Sequence, residues 1–152
     1  MTNDLREYHV ELIDPHETYP LRQQVLRPTL TIDQVAMDHD DLSTSFHVGA
    51  RSPETGEVIA IMTVMRDPVP GSEDIAWRIR GMASSPEARG TGSGGAVLKF
   101  GIKHAWSMDR KTIWCNARKV AYGFYQHYGF VLVGEEFDIP GIGPHKVMTI
   151  QP

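Results

Sequence analysis

The stretch SSPEARGTGSGGAVLKF, Ser84 to Phe100, gathers Gly90, Gly92, Gly94 and Gly95 between a strand-like run and a helix-like one. Glycines at alternate positions let backbone N–H groups converge without interference from Cβ atoms, and the start of the following helix adds partial positive charge. The chemistry open to such a turn is the binding of a phosphate. It is not a Walker A loop, because no Lys-Ser or Lys-Thr follows the last glycine. Nor does it fit a dinucleotide fold, whose glycine fingerprint follows the first strand of a βαβ unit, whereas several strands precede it here. Arg78 and Arg80 lie two apart in a strand, so both guanidiniums face one way, toward an acidic substrate group or toward carboxylates of a neighbouring strand. Cys115, between Trp114 and Asn116, reads as a small core thiol rather than a nucleophile. His39 stands among Asp38, Asp40 and Asp41, but adjacent loop residues alternate in direction and do not converge on one ion. That run reads as solvated charge in a mobile connection, with no metal expected.

These residues need a scaffold, and the chain supplies one. Tyr8 to Ile13 reads as a strand closed by Asp14-Pro15, and Thr18 to Leu26 as a short amphipathic helix stopped by Pro28. Ser45 to Ala50 and Val58 to Met65 are β-branched or apolar runs separated by the turn residues RSPETGE, which makes a hairpin. Ile75 to Ala83 alternates Ile75, Trp77, Ile79 and Gly81 against Ala76, Arg78, Arg80 and Met82, and leads as a strand into the glycine-rich segment. The helix after it spans Gly94 to Met108, with a stripe of Val97, Leu98, Phe100, Ile102, Ala105 and Trp106. A buried strand over Thr112 to Cys115, a helix over Val120 to Tyr128 ended by Gly129, and strands at Phe130 to Val133 and Lys146 to Ile150 complete the order. The three tryptophans belong to the core, with Trp77 a candidate to line a substrate pocket. Strands before, between and after the helices predict a mixed α/β domain built on one sheet.

At 152 residues the chain is long enough for one sizeable core and short for two, so residues 1–152 are expected to form a single domain. The net charge of −4 gives no electrostatic reason to expect nucleic acid or an anionic membrane as partner. A lone cysteine and a start, MTNDLREYHV, without an apolar run favour a reducing, cytoplasmic location. No stretch approaches the roughly 20 apolar residues needed to cross a bilayer.

Arg89-Gly90-Thr91-Gly92-Ser93-Gly94, preceded by Pro86 and followed by Leu98, resembles the R-G-x-G-x-G pyrophosphate loop of the GNAT N-acetyltransferases. Downstream, Ala121, Phe124, Tyr125, Gly129 and Phe130 are similar to that family's A-x-x-F-Y-x-x-x-G-F signature. The resemblance is clear from Val58 to Phe137 and weakest before Phe46. It implies the GNAT acyltransferase fold: a central, mostly antiparallel sheet with two splayed parallel strands, flanked by helices. It further implies an N-acetyltransferase moving the acetyl group of acetyl-coenzyme A to an amine by direct attack in a ternary complex. The acceptor would be a small amine, an amino acid derivative or a peptide amine. A homodimer is left open. By the same resemblance, backbone amides of Arg89, Gly90, Thr91, Gly92, Ser93 and Gly94 bind the pyrophosphate. Met82, Ala83 and Ser84 pair with the pantetheine arm, and a backbone amide near Met82 or Ala83 polarises the acyl carbonyl.

Tyr125 matches the family's general acid, and a phenol with a pKa of about 10 holds its proton at neutral pH. Where the family commonly has asparagine ahead of the second signature this chain has Arg118, with Asn116 two positions earlier, and both are candidate cofactor contacts. The strand before the loop also lacks the glutamate that many relatives carry there. A base must then come from water, Glu73, Asp74, His145 or the acidic loop. A non-catalytic acyl-coenzyme A sensor or structural subunit is the alternative reading, and a phosphate-binding domain unrelated to coenzyme A the third.

Overall fold

The computed structural model describes residues 8–152. Its strands are β1 (His9–Leu12), β2 (Phe46–Arg51), β3 (Val58–Arg66), β4 (Trp77–Ser84), β5 (Ile113–Arg118), β6 (Val131–Ile139) and β7 (Gly143–Ile150). They form one sheet in the order β1-β2-β3-β4-β5-β7-β6. Every neighbouring pair is antiparallel except β4 and β5, which are parallel. The helices are α1 (Tyr19–Leu21), continued by a π-helical turn at Arg22–Leu26, then α2 (Ser93–Met108) and α3 (Tyr122–His127).

The two sheet faces bury different sets. On one, Val97, Leu98 and Ala105 of α2 and Tyr125 of α3 pack with Val48, Met62, Val64, Trp77, Ile79, Ile113, Cys115 and Met148. On the other, Leu21 of α1 closes over Ile13, Ile61 and Ala83. Trp77 therefore belongs to the α2 core, where its indole N–H donates to the Asp109 carbonyl at 2.9 Å, and it does not line the cleft described below.

The strand leading into the glycine loop departs from simple alternation. Register runs Arg80 opposite Thr63 and then Ala83 opposite Ile61, which leaves Gly81 and Met82 together against Met62. This β-bulge sits on Gly81, whose φ of +62° is open to glycine and costly for a residue with a Cβ. One extra residue inverts the side-chain phase: Ile79 faces α2, while Ala83, four positions on, faces α1.

The connection after α1 differs from the solvated, mobile loop expected of it. Asp38 and Asp41 are exposed, but Asp40 is buried and paired with Arg22, itself 1% exposed. Arg22 precedes Val25 and Leu26 by three and four positions, so it shares their inward face, and a charge there needs a partner. The Arg22 guanidinium donates to both Asp40 oxygens at 2.7 and 2.8 Å, to the Val35 carbonyl at 3.1 Å and to Thr63 Oγ1 at 2.8 Å. Thr63, having accepted from Arg22, donates its hydroxyl hydrogen to His47 Nδ1, and His47 Nε2–H then donates to the Asp40 carbonyl. The loop is thereby fastened to β2 and β3.

Candidate active site

Strands β4 and β5 pair only at Trp77 with Ile113 and Arg78 with Trp114. Beyond that point β4 stays with β3 and β5 stays with β7, and the two part. Their facing edges from Ile79 and Cys115 onward thus have no strand partner, and a cleft of about 400 Å³ opens between them. It passes through the sheet. Phe124 and Tyr125 line it on the α2 and α3 side, and Arg22, Met37, Arg78 and Arg80 on the α1 side.

The glycine loop closes the end of β4. A short 3-10 turn, Pro86–Ala88, delivers the chain to Gly90 and Gly92, held at φ of +79° and +92°, and Gly92 caps α2. A Cβ at either glycine would stand in open space, so their backbone is bare to an approaching ligand. The amides divide. Those of Arg89 and Thr91 bond inside the loop, to the Pro86 and Ala88 carbonyls at 3.4 and 3.2 Å. Those of Gly90 and Gly92 make no hydrogen bond among the described residues, and those of Ser93 and Gly94 lie in the first turn of α2, which has no intrahelical acceptors for them. The chemistry of this donor set suits a pyrophosphate, and the unpaired β4 edge suits the amides of a pantetheine arm. Gly94 sits against the strand end, where a Cβ would come within 3.3 Å of Ser84 Oγ.

Tyr125 lines the cleft from α3 and is 6% exposed. Burial, then the neighbouring Cys115, push its phenol well above the ordinary value, so it is a protonated donor. Burial likewise raises the Cys115 thiol to about 12, against which contact with Tyr125 works only weakly; it is no thiolate nucleophile. Asn116 and Arg118 alternate with Cys115 and Ala117, so they face the α1 side of the cleft, and Asn116 Oδ1 is buried without a partner.

Of the candidate bases, Glu73 and Asp74 are on the exposed loop before β4 and line no part of the cleft, and Asp40 is committed to Arg22. His145 does line it, opposite Arg118 in the β5–β7 register. Its Nδ1–H donates to the Gly143 carbonyl at 2.8 Å and Phe137 stacks on the ring. Nε2 is left as the acceptor and takes no partner among the described residues. Arg22, Thr63 and His47 form a hydrogen-bonded polar layer beside the cleft that residue patterns did not announce. The signal for Arg22 was a charge inside the apolar stripe of its helix.

Residues 52–150 match the acetyltransferase (GNAT) domain family. The chain is 35% identical over 139 residues to the uncharacterized N-acetyltransferase YitI of Bacillus subtilis, covering 91% of this chain and 93% of that one. Among solved structures it is similar to an acyl-CoA N-acyltransferase from Pseudomonas aeruginosa, with TM-score 0.72, 20% identity and coverage of 94% and 99%. It is also similar to an aminoglycoside 6'-N-acetyltransferase complexed with coenzyme A, with TM-score 0.73, 13% identity and coverage of 94% and 96%. At such identities these structures speak for the fold. Among the described residues no helix is long and apolar enough to cross a membrane.

Proposed function

Since the chain belongs to the GNAT acetyltransferase family, we propose that it transfers the acetyl group of acetyl-coenzyme A to an amine brought to the α1 side of the β4–β5 cleft. The observation that carries this reading is the adjacency of three features: an unpaired strand edge and a protonated phenol in one cleft, and an amide-bare loop at the start of α2, whose Gly94 lies beside the cleft residues Met82 and Phe124. Acetyl-coenzyme A, when bound, supplies an acyl group activated as a thioester. Gly90, Gly92, Ser93 and Gly94 would hold its pyrophosphate by backbone N–H groups. Met82, Ala83 and Ser84 would pair with the pantetheine arm, and Asn116 and Arg118 would reach it where it crosses the cleft. The bulge at Gly81 and Met82 would set which backbone amide there polarises the acyl carbonyl.

Tyr125 holds the proton that the departing sulfur requires. Tyr125→Phe is expected to lower kcat by about 10²-fold or more while coenzyme A affinity stays close to wild type, as read by single-turnover rates and calorimetry. An unchanged rate under chemistry-limited conditions would remove Tyr125 from the reaction. We assign the base to His145 Nε2, which faces the cleft with its tautomer fixed by Gly143. His145→Gln keeps a side-chain amide able to reach Gly143 but no base. Turnover should fall about 10²-fold near neutral pH, and the deficit should shrink at higher pH, where more of the amine is already free. A constant deficit across pH would instead give His145 a packing role.

Calorimetric titration with acetyl-coenzyme A, followed by thiol release against a panel of amines, tests the whole reading. Binding with release on one amine class is the expected result. Binding without release on any amine would favour a cofactor-sensing module, consistent with the absence of a β4 glutamate.

A further inference from the structure

We propose that the acyl acceptor is an amine that also carries an anionic group, a carboxylate or a phosphate, and that Arg80 receives that group on the α1 side of the cleft; this rests on the acetyltransfer reading above.

The cleft is lined by Arg22, Arg27, Arg78, Arg80 and Arg118, and among the described residues no aspartate or glutamate lines it. Two of these guanidiniums are neutralised from behind: Arg22 by Asp40, and Arg78 by Asp67 at 3.0 Å while it lies over the Trp114 ring. Arg80 is half-buried between them and makes no ion pair or side-chain hydrogen bond among the described residues. It stands opposite Thr63, the residue to which Arg22 is bonded, so two guanidiniums share one patch of the sheet. Burial, then the repulsion of Arg78, Arg22 and Arg27, work against its charge, and only Asp67 opposes them weakly. Nor is Arg80 the sole donor in want of an acceptor. Arg22 Nε and Arg78 Nε are buried without partners, and Arg22 Nε lies 3.5 Å from where a Cβ on Gly81 would be, at the bulge in the cleft wall.

A half-buried charge among like charges is destabilising unless something of opposite sign completes the site. Guanidinium is suited to that task because its planar fork meets carboxylate and phosphate oxygens in pairs. The same field repels a polyamine or a lysine-rich peptide, whereas an amine bearing an anion enters with its positive charge offset.

The test compares paired acceptors at saturating acetyl-coenzyme A: an amino acid against its amide, an amino-sugar phosphate against the free amino sugar, and a simple diamine. For one pair, kcat/KM should favour the anionic member by about tenfold or more, as the loss of a charged hydrogen bond implies. The pair that shows it separates carboxylate from phosphate. Arg80→Met should raise KM for that acceptor about tenfold and erase the discrimination, Arg80→Lys should restore part of it, and coenzyme A binding by calorimetry reports that both variants are folded. Preference for neutral amines or the diamine, or discrimination intact in Arg80→Met, would overturn the proposal. A readout without turnover separates the two readings. With coenzyme A saturating, inorganic phosphate or succinate should raise the Tm of wild type and not of Arg80→Met. That shift without thiol release on any amine would leave the anion site standing and sink acetyltransfer; release on neutral amines without the shift would do the reverse.

Discussion

Asp40→Asn is expected to remove about 3–5 kcal/mol of folding stability, because it leaves the buried Arg22 guanidinium without its counter-charge. For a chain of this size that is a fall in Tm of about 6–20 °C. Asp40 is held from three directions, by both Arg22 nitrogens and by the Met37 N–H at 2.8 Å, so the neutral amide cannot reproduce its bonds. A double variant, Arg22→Met with Asp40→Leu, should lose less than Asp40→Asn, since an apolar pair leaves no orphaned charge. Acid titration supplies a second check. Burial pushes the Asp40 carboxyl up, but the Arg22 pair and the Met37 N–H outweigh it, and the group ends below the ordinary carboxylate range. A carboxylate with a depressed folded pKa contributes fully above its unfolded value and loses that contribution as pH falls through the folded one. Wild type should therefore shed this part of its stability below about pH 4, and Asp40→Asn, having lost it already, should show a shallower decline there. Chemical denaturation at a series of pH values measures both slopes.

That network was the part of the fold least legible in the residues, for a physical reason. A run such as Asp38-His39-Asp40-Asp41 is polar throughout, and burial of one member depends on a partner 18 positions earlier, which periodicity cannot report. The bulge at Gly81 was hidden differently. Isolated glycine in a strand is compatible with plain alternation and with a phase shift, and only pairing with β3 decides. Strand β6 runs on to Ile139, past Gly134, Glu135 and Glu136 and so beyond the run from Phe130 to Val133; it is an edge strand held by pairing with β7 across another bulge, not by burial. What the residues did declare was local: the loop from Arg89 to Gly94, helix α2 behind it, the hairpin of β2 and β3, and Gly129 ending α3. Those features are fixed by neighbours in sequence. The parting of β4 and β5, which makes the cleft, depends on β7 pairing with β5 from the far end of the chain.

Gly92→Glu is expected to lower coenzyme A affinity by about 10³-fold, provided the loop holds pyrophosphate as proposed. Two effects are superposed in that substitution. Gly92 occupies φ +92°, so any side chain strains the backbone at the cap of α2 by about 1–2 kcal/mol. The glutamate also brings its carboxylate to the open side of the loop, where a Cβ meets nothing within 4 Å. Like charges about 4 Å apart at an effective dielectric near 20 repel by about 4 kcal/mol, or close to three powers of ten in affinity. Gly92→Ala isolates the first effect. It should lower Tm by a few degrees and weaken coenzyme A about tenfold or less, since it adds strain without charge. Calorimetry on the pair then assigns the difference between alanine and glutamate to electrostatics at the helix start, and that difference should diminish as salt is raised. Equal affinities for the two variants would mean that the loop shapes the end of β4 without touching the phosphates, and the amides of Gly90, Gly92, Ser93 and Gly94 would then need another ligand.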